Sequence, residues 1–298
     1  MELHQLRYFL AIVKTGSFSR AAESCHVAQP SLSQQILKLE AELSEKLFER
    51  TRRQVTLTAA GELFRPRAES VLREIHEAKR EVRDARGGAA RGEVNLAALP
   101  TIAPYLLPRI LRGFRRRSPS VQLIVHEETT DRVLRALAQR DLDLALVSLP
   151  ITDGRMEVRS LFREELVLAL PRGHALARKR DLTAADLQPE NFIFMSDTHC
   201  LGAQTLQFCY AQGFSPRISC RSAQIETVQA LVAAGMGISI VPAMARQSQS
   251  GATVVYRSLG KAQPTREIAL LWNKNRVLSR AARELRDYLL ASKAKAKR

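Results

Sequence analysis

The chain contains few cysteines and few aromatic side chains, and it has no long apolar run. Four of its 298 residues are cysteine and 5% are aromatic. No apolar stretch reaches the roughly 18 residues that a membrane helix needs, so we expect no membrane partner. The first residues mix polar and charged side chains, unlike a secretory signal peptide. We therefore expect a cytoplasmic protein, in which cysteines stay reduced and any pairing is transient and redox-linked.

Motifs that bind metals are also missing. The cysteines are Cys25, Cys200, Cys209 and Cys220, and the sequence contains neither CxxC nor HxxxH spacing. Because such spacings are typical of protein metal sites, we expect no metal and no cofactor.

Acidic residues are outnumbered by basic ones, which gives a formal net charge of +16. An excess of this size is typical of proteins with a polyanionic partner. Residues 1–90 carry 15 Lys and Arg against 12 Asp and Glu, whereas residues 91–298 carry 31 against 18. Because most of the excess lies in the second part, and some of it in a basic tail at 293–298, net charge gives only secondary support for a nucleic-acid partner.

The N-terminal segment predicts three short helices. Apolar residues at helical spacing over 3–14 predict a first helix that stops at Gly16. Ser17 or Ser19 then suits the N-cap of a second helix. A third helix is predicted from about Pro30 to Leu43, since proline is well tolerated in a first helical turn.

Two further elements complete this first part of the chain. Alternating apolar residues at 46–58 predict a β-ribbon, and the amphipathic segment 59–85 predicts one long helix. A glycine-rich linker at 87–92 follows. Beyond it, short apolar strands alternate with helical stretches, which is typical of an α/β fold with largely parallel sheets. About 200 residues of this pattern suffice for two similar lobes with a cleft between them.

The helix, turn and helix in the first 45 residues fit a helix-turn-helix that binds double-stranded DNA. Serine and glutamine can bond base edges, and lysine and arginine can neutralise phosphates. The candidate DNA-binding residues are Gln29, Pro30, Ser31, Ser33, Gln34 and Lys38 at the start of the third helix, and Arg50, Arg52 and Arg53 on the ribbon. On spacing alone, a three-helix bundle with a polar surface fits equally well.

The run from Phe9 to Gly61, which includes GSFSRAAE, VAQPSLSQQI and LFERT, closely resembles the LysR-type regulator family. One departure is Ser44, where the family has a glycine suited to a turn with positive φ. The resemblance implies a winged helix-turn-helix, a linker helix that pairs two chains, and a regulatory domain similar to a periplasmic solute-binding protein. It also implies promoter DNA and RNA polymerase as partners, and a homotetramer built as a dimer of dimers.

These expectations divide the chain into three parts. We expect the winged helix-turn-helix at 1–58, the linker helix and hinge at 59–90, and the regulatory domain at 91–298. Within the regulatory domain, lobe I is expected at about 91–163 and 267–298, and lobe II at about 164–266.

The segment 197–209 contains His199 and Cys200, with Cys209 nine residues later, and it resembles the peroxide-sensing members of the LysR family. The stretches 99–111, 126–137, 226–243 and 264–272 resemble the same members. The resemblance implies an activator of oxidative-stress genes that senses hydrogen peroxide and is reset by a cellular thiol reductant. Its implied residues are Cys200 as the peroxidatic thiol, Cys209 as the resolving thiol, and Thr101, Thr130, His199 and Arg266 as the peroxide pocket.

The expected chemistry requires a reactive Cys200. A thiol attacks peroxide as the thiolate, so its pKa must be lowered, and a position at a helix N-terminus favours negative charge. If 200–209 is one helix, Cys200 and Cys209 lie about 13 Å apart on opposite faces, beyond the roughly 7 Å that a disulfide allows. Either the disulfide never forms, or the segment unwinds before the pair closes; our hypothesis is that it unwinds, helped by Gly202 and Gly213.

Several alternatives stay open for these side chains. Both cysteines fit small buried hydrophobic residues, and Cys220 is a rival resolving thiol. We interpret Cys25 as structural, facing the helical core, and Cys220 as the end of a strand. Thr101 and Thr130 also suit helix N-caps, and Thr129 could take the place of Thr130.

Three other functions are weighed against a peroxide sensor. The first is a LysR-type regulator that binds a small organic anion between the lobes, to which the basic second part would be suited. The second is a thiol peroxidase, although we expect the chain not to be an enzyme. The third is a separate solute-binding protein, which the absence of a signal peptide disfavours.

Overall fold

The computed structural model describes residues 1–50, 55–85, 90–196, 200–248, 253–260 and 263–292. The chain forms two compact units, Met1–Gly87 and Gly88–Arg298. In the described part of the chain, no helix combines the length and the apolar character needed to cross a membrane.

The first unit consists of helices and a two-stranded ribbon, as the sequence predicts. Its elements are α1 (Leu3–Thr15), α2 (Phe18–Ser24), α3 (Gln29–Leu43), β1 (Phe48–Arg50), β2 (Val55–Leu57) and α4 (Ala59–Ala85).

Local signals in the sequence set the helix ends of this unit. Gly16 ends α1 with a φ of 64°, and the Ser17 side chain caps α2 by accepting a hydrogen bond from the backbone N–H of Arg20. Pro30 lies in the first turn of α3. Ser44 ends α3 with a φ of 55°, so a non-glycine residue makes the left-handed turn at this position.

The core of the first unit packs α1 and α3 against the ribbon. Phe9, Leu32, Ile36 and Leu39 are fully buried in it. Cys25 does not face this core as predicted: it follows the last residue of α2 as its half-buried C-cap.

The long helix α4 leaves apolar side chains uncovered. Leu63, Val71 and Val82 are exposed, and all three belong to the apolar side that the sequence predicts for this helix. An exposed apolar row on a helix is typical of a surface that a second chain covers.

The second unit is an α/β structure with two lobes. Its elements are β3 (Gly92–Ala98), α5 (Ala103–Arg117), β4 (Val121–Glu127), α6 (Thr130–Ala138), β5 (Leu144–Ser148), β6 (Met156–Pro171), α7 (Ala175–Arg178), β7 (Asn191–Met195), α8 (Cys200–Ala211), β8 (Arg217–Ser222), α9 (Ile225–Ala233), β9 (Ser239–Pro242), β10 (Val254–Arg257), β11 (Thr265–Asn273) and α10 (Arg280–Ala291), with 3₁₀ turns at Ala184–Leu187 and Ala243–Ser248.

The sheets of this unit are mixed, so the prediction of largely parallel sheets was wrong in part. Strand β3 pairs in parallel with β4 and β5, and β7 pairs in parallel with β8. Strand β11 is antiparallel to β5 and β6, and β6 is antiparallel to β9 and β10. The reason is the chain path: β6 leaves the first lobe for the second and β11 returns beside it, so the two strands run in opposite directions.

Two separate hydrophobic cores define the lobes. One core gathers residues between Ala90 and Leu161 and residues between Ile268 and Leu289, and the other gathers residues between Leu166 and Leu259. Strand β6 runs through both. The junction between the lobes therefore lies where β6 and β11 pass from one core to the other.

A buried carboxylate attaches the ribbon to α3. Glu40 is 5% exposed and accepts hydrogen bonds from the backbone N–H groups of Leu47, at 2.8 Å, and Phe48, at 3.3 Å. We expect Glu40→Ala to lower the free energy of unfolding of the first unit by about 2–4 kcal/mol, because it leaves two buried donors unsatisfied. Urea unfolding of the full chain, followed by circular dichroism, measures the change.

The exposed Glu45, just beyond the end of α3, provides the matched control. Glu45→Ala should change the unfolding free energy by less than about 0.5 kcal/mol. Equal effects of the two substitutions would contradict the role given to Glu40.

Candidate functional site

Cys200 lies at the junction of the two lobes. It is the first residue of α8, a helix whose Leu201 and Cys209 belong to the core of the second lobe. The half-buried Cys200 side chain itself packs against the core of the first lobe. A movement of one lobe relative to the other would therefore change the surroundings of the Cys200 sulfur.

Arg266 is the buried cation of this junction. It is 2% exposed and lies on β11, directly opposite Glu164 of β6. Its Nε donates to a Glu164 carboxylate oxygen at 2.8 Å, and its two terminal nitrogens donate to the Thr101 hydroxyl at 2.8 Å and the Thr101 carbonyl at 2.9 Å. Glu164 also accepts from the backbone N–H of Met244 at 2.7 Å. This network fixes the guanidinium and balances its charge.

Thr130 faces Cys200 from the first turn of α6. Its hydroxyl is buried, and among the described residues it forms no well-aligned hydrogen bond. It nevertheless lies close enough to the Cys200 sulfur to favour the thiolate and so to oppose a rise in the pKa of Cys200. A buried hydroxyl without a well-aligned partner, next to the Cys200 sulfur, is available to a small polar molecule.

The alternative that the two threonines are helix N-caps was wrong. Ile102 and Thr129 occupy the N-cap positions of α5 and α6, and neither provides a capping hydrogen bond from its side chain. The Thr101 hydroxyl binds Arg266 instead. His199, the remaining predicted pocket residue, lies outside the described residues.

Burial raises the pKa of the Cys200 thiol, because the neutral form is favoured away from water. The charge of Arg266, the Thr130 hydroxyl and the backbone N–H groups of Cys200 and Leu201 lower the same pKa but do not overcome burial. The expectation of a lowered pKa was therefore wrong in its net direction. The helix N-terminus and the cation are both present and lower the pKa of Cys200, but the rise caused by burial is larger.

Cys209 lies on the same unbroken helix as Cys200 but on its other side. It is fully buried in the core of the second lobe, and burial raises the pKa of its thiol to about 12. The nine-residue spacing in one helix corresponds to about 13 Å along the axis. The described structure thus holds the two sulfurs apart, and Cys209 is a protonated thiol with no access to Cys200.

The two glycines of this segment have different roles from the one expected. A Cβ at Gly202 would lie 2.7 Å from the Met195 carbonyl oxygen, so Gly202 permits a close approach between α8 and the end of β7. Gly213 lies beyond the end of α8 with a φ of 83°, and it cannot weaken a helix that ends before it. The prediction for Gly213 was wrong.

Cys220 lies within β8 and is half-buried against the core of the second lobe. Its thiol donates to the Arg221 carbonyl oxygen at 3.7 Å. Within the described residues, no group of three or more His, Cys, Asp and Glu side chains is arranged to hold a metal ion.

Sequence reasoning missed three polar residues of the junction. Glu164 neutralises Arg266, and Gln204 of α8 binds Ser148 and Leu149 at the end of β5. A charged residue inside the strand-like run FREELVLALP was a usable signal for Glu164, since a buried charge needs a partner. Ser148 and Gln204 carry no comparable signal, because only the packing of α8 against the first lobe brings them together.

The candidate DNA-binding residues of α3 form one accessible group. Gln29, Pro30, Ser31, Gln34 and Lys38 are exposed, and the half-buried Ser33 accepts a hydrogen bond from the Gln29 amide at 3.0 Å. Arg50 ends β1. Arg52 and Arg53 lie outside the described residues.

Known proteins share both units of this chain. The model of the bacterial regulatory helix-turn-helix protein, lysR family, matches residues 3–62, and the LysR substrate binding domain matches residues 87–294. The hydrogen peroxide-inducible genes activator of Dickeya chrysanthemi is 35% identical over 96% of this chain and 94% of the relative.

Two solved structures are similar over almost the whole length. A full-length variant of OxyR from Pseudomonas aeruginosa matches with a TM-score of 0.74 and 29% identity, over 98% of this chain and 94% of that chain. CbnR in complex with its target DNA matches with a TM-score of 0.73 and 25% identity, over 98% of this chain and 100% of that chain. With two matching domains, a relative above 30% identity and a common architecture, the chain belongs to the LysR family of bacterial transcriptional regulators.

Proposed function

We propose that this chain is a promoter-binding transcription regulator that senses hydrogen peroxide through oxidation of Cys200. The position of Cys200 carries the proposal: the thiol starts a helix at the lobe junction, beside a buried cation and the buried Thr130 hydroxyl. The similarity to the hydrogen peroxide-inducible genes activator of Dickeya chrysanthemi and to OxyR supports it. Thr101, Thr130, His199 and Arg266 would surround the bound peroxide.

The first step is a two-electron oxidation of sulfur. The Cys200 thiolate attacks one oxygen of hydrogen peroxide, an S–O bond forms, and the O–O bond breaks. The leaving hydroxide takes up the thiol proton as water, so the products are a Cys200 sulfenic acid and one water. The Thr130 hydroxyl is suited to hold the peroxide, and the charge of Arg266 favours the thiolate that attacks it.

The second step joins Cys200 to Cys209. The Cys209 sulfur attacks the sulfenic sulfur, an S–S bond forms, and the S–O bond breaks with release of a second water. Because Cys209 is buried on the other face of α8, this step requires α8 to unwind, and the unwound segment becomes the signal that the domain transmits. Cys220 is the alternative resolving thiol. A cellular thiol would supply the two electrons that restore the reduced form.

DNA binding would use the exposed start of α3 and the arginines of the ribbon. The apolar side of α4 is suited to pair two chains, and two such pairs would form a tetramer. We infer a division into 1–58, 59–90 and 91–298 on this basis, with RNA polymerase as the partner that an activator of oxidative-stress genes would contact. CbnR, of similar architecture, binds target DNA.

A regulator of an organic anion is less well supported by the junction. An anion between the lobes would need an available cation, but the charge of Arg266 is already paired with Glu164, and both of its terminal nitrogens already donate to Thr101. Cys200→Ser separates the two functions, since a peroxide sensor loses its response and an anion-binding regulator keeps it.

The raised pKa of Cys200 predicts a pH-dependent reaction with peroxide. Below its pKa the thiolate population grows about tenfold per pH unit. We therefore expect the second-order rate of Cys200 oxidation to rise without a plateau from about pH 6.5 to about pH 8.5. Stopped-flow oxidation with trapping of the sulfenic acid measures the rate. A plateau at neutral pH would contradict a raised pKa.

Substitution of the two neighbouring threonines tests the pocket. Thr130→Val should shift the pH profile of Cys200 oxidation to higher pH and slow it about three- to tenfold at neutral pH, because one contact that favours the thiolate is lost. Thr129→Val is the matched control and should leave the profile within about twofold. A larger slowing by Thr129→Val than by Thr130→Val would contradict the role of Thr130 and would show that Thr129 contacts the Cys200 sulfur instead.

Disulfide mapping tests the pairing. After brief peroxide treatment and acid quenching, we expect peptide mass spectrometry of the full chain to find Cys200 joined to Cys209. Cys209→Ser should instead accumulate the sulfenic acid, and Cys220→Ser should leave the pair unchanged. A Cys200–Cys220 disulfide, or none in the wild type, would contradict the proposed second step.

A further inference from the structure

Gln204 binds the first lobe from within the helix that carries both cysteines. Its Nε2 donates to the Ser148 hydroxyl at 3.0 Å and to the Leu149 carbonyl oxygen at 2.7 Å. The Ser148 hydroxyl in turn approaches the Gln204 carbonyl oxygen at 3.4 Å. Ser148 is the last residue of β5, so these bonds join α8 to the carboxyl end of an inner strand in the other lobe.

The opposite side of the same helical turns is pressed against the second lobe. Gly202 lies so close to the Met195 carbonyl that a side chain would not fit, and Leu201 and Thr205 are buried. Gln204 follows Cys200 by four residues, so the two side chains share the face that points to the first lobe. The start of α8 is therefore held from both lobes.

From these contacts we propose that Gln204 is a positioning residue that locks the start of α8 in its helical form and so opposes the union of Cys200 with Cys209. The inference rests on the proposed function, in which that union requires unwinding. The bonds to Ser148 and Leu149 require Gln204 to stand one turn after Cys200 on a common face. Unwinding breaks them, whereas the attack of Cys200 on peroxide leaves them intact.

The chain offers a matched control for the proposed role of Gln204. Gln207 lies on the same helix between the two cysteines and is exposed. Gln204→Ala and Gln207→Ala change helix propensity by the same amount, but only the first removes the bonds to the first lobe. Loss of one to two net hydrogen bonds changes an equilibrium about five- to thirtyfold.

Hydrogen–deuterium exchange of the reduced full chain tests the lock without any oxidant. We expect Gln204→Ala to accelerate exchange of the backbone amides at 202–209 by about five- to thirtyfold relative to the wild type, while Gln207→Ala stays within about twofold. Equal exchange in the two variants would overturn the inference. Ser148→Ala provides a second variant that should accelerate exchange in the same direction but less.

Kinetics of the two redox steps then give an independent readout. Gln204→Ala should leave the rate of sulfenic acid formation within about twofold and raise the rate of disulfide formation about five- to thirtyfold. An equal change in both rates would overturn the inference, because it would assign Gln204 to the peroxide pocket. A wild type that forms no Cys200–Cys209 disulfide would overturn the proposed second step instead, and the exchange experiment would still decide the role of Gln204.

Discussion

One unbroken helix, α8, separates the two thiols on which redox chemistry would depend. Its geometry directs Cys200 towards the core of the first lobe and Cys209 into the core of the second. Two cores with different partners hold its two faces, so α8 cannot turn or slide without exposing apolar surface. Chemistry that joins the thiols must therefore disturb the packing of both lobes, which is how an event at one sulfur would reach the whole domain.

Burial and the charged residues at the junction together determine the pKa of Cys200. Burial raises the pKa of the thiol, and Arg266 opposes that shift from a position fixed by Glu164 and Thr101. The carboxylate keeps a buried guanidinium from being an uncompensated charge, and it also offsets part of the field that would favour the thiolate. A thiol in this setting is mostly protonated at rest, so its reaction depends on how well the site binds peroxide.

Sequence reasoning succeeded where the physical signal is local. Gly16, Ser17 and Pro30 carry helix ends in their own backbone preferences, and the apolar periodicity of 59–85 predicts α4 at its observed bounds. It failed for features that are determined by contacts between distant parts of the chain. The antiparallel direction of β11 follows from the return of the chain between lobes, and the raised pKa of Cys200 follows from its burial against the core of the other lobe.

The same distinction applies to the candidate site. A motif and a family resemblance indicated Cys200, Thr101, Thr130 and Arg266, and the fold brings Arg266 to Thr101 and Thr130 to Cys200. The strand-like run could mark Glu164 as a buried charge in need of a partner, but neither motif nor periodicity could identify that partner or indicate Gln204, because each residue and its partner lie far apart in sequence.

In the proposed mechanism, oxidation of Cys200 changes how the regulator contacts DNA. DNase footprinting of the full chain on a promoter that it binds, in the reduced form and after peroxide treatment, tests this most directly, with Cys200→Ser alongside. We expect a footprint that changes in extent or position on oxidation of the wild type and stays constant for Cys200→Ser. Identical footprints of the reduced and oxidised wild type would contradict it.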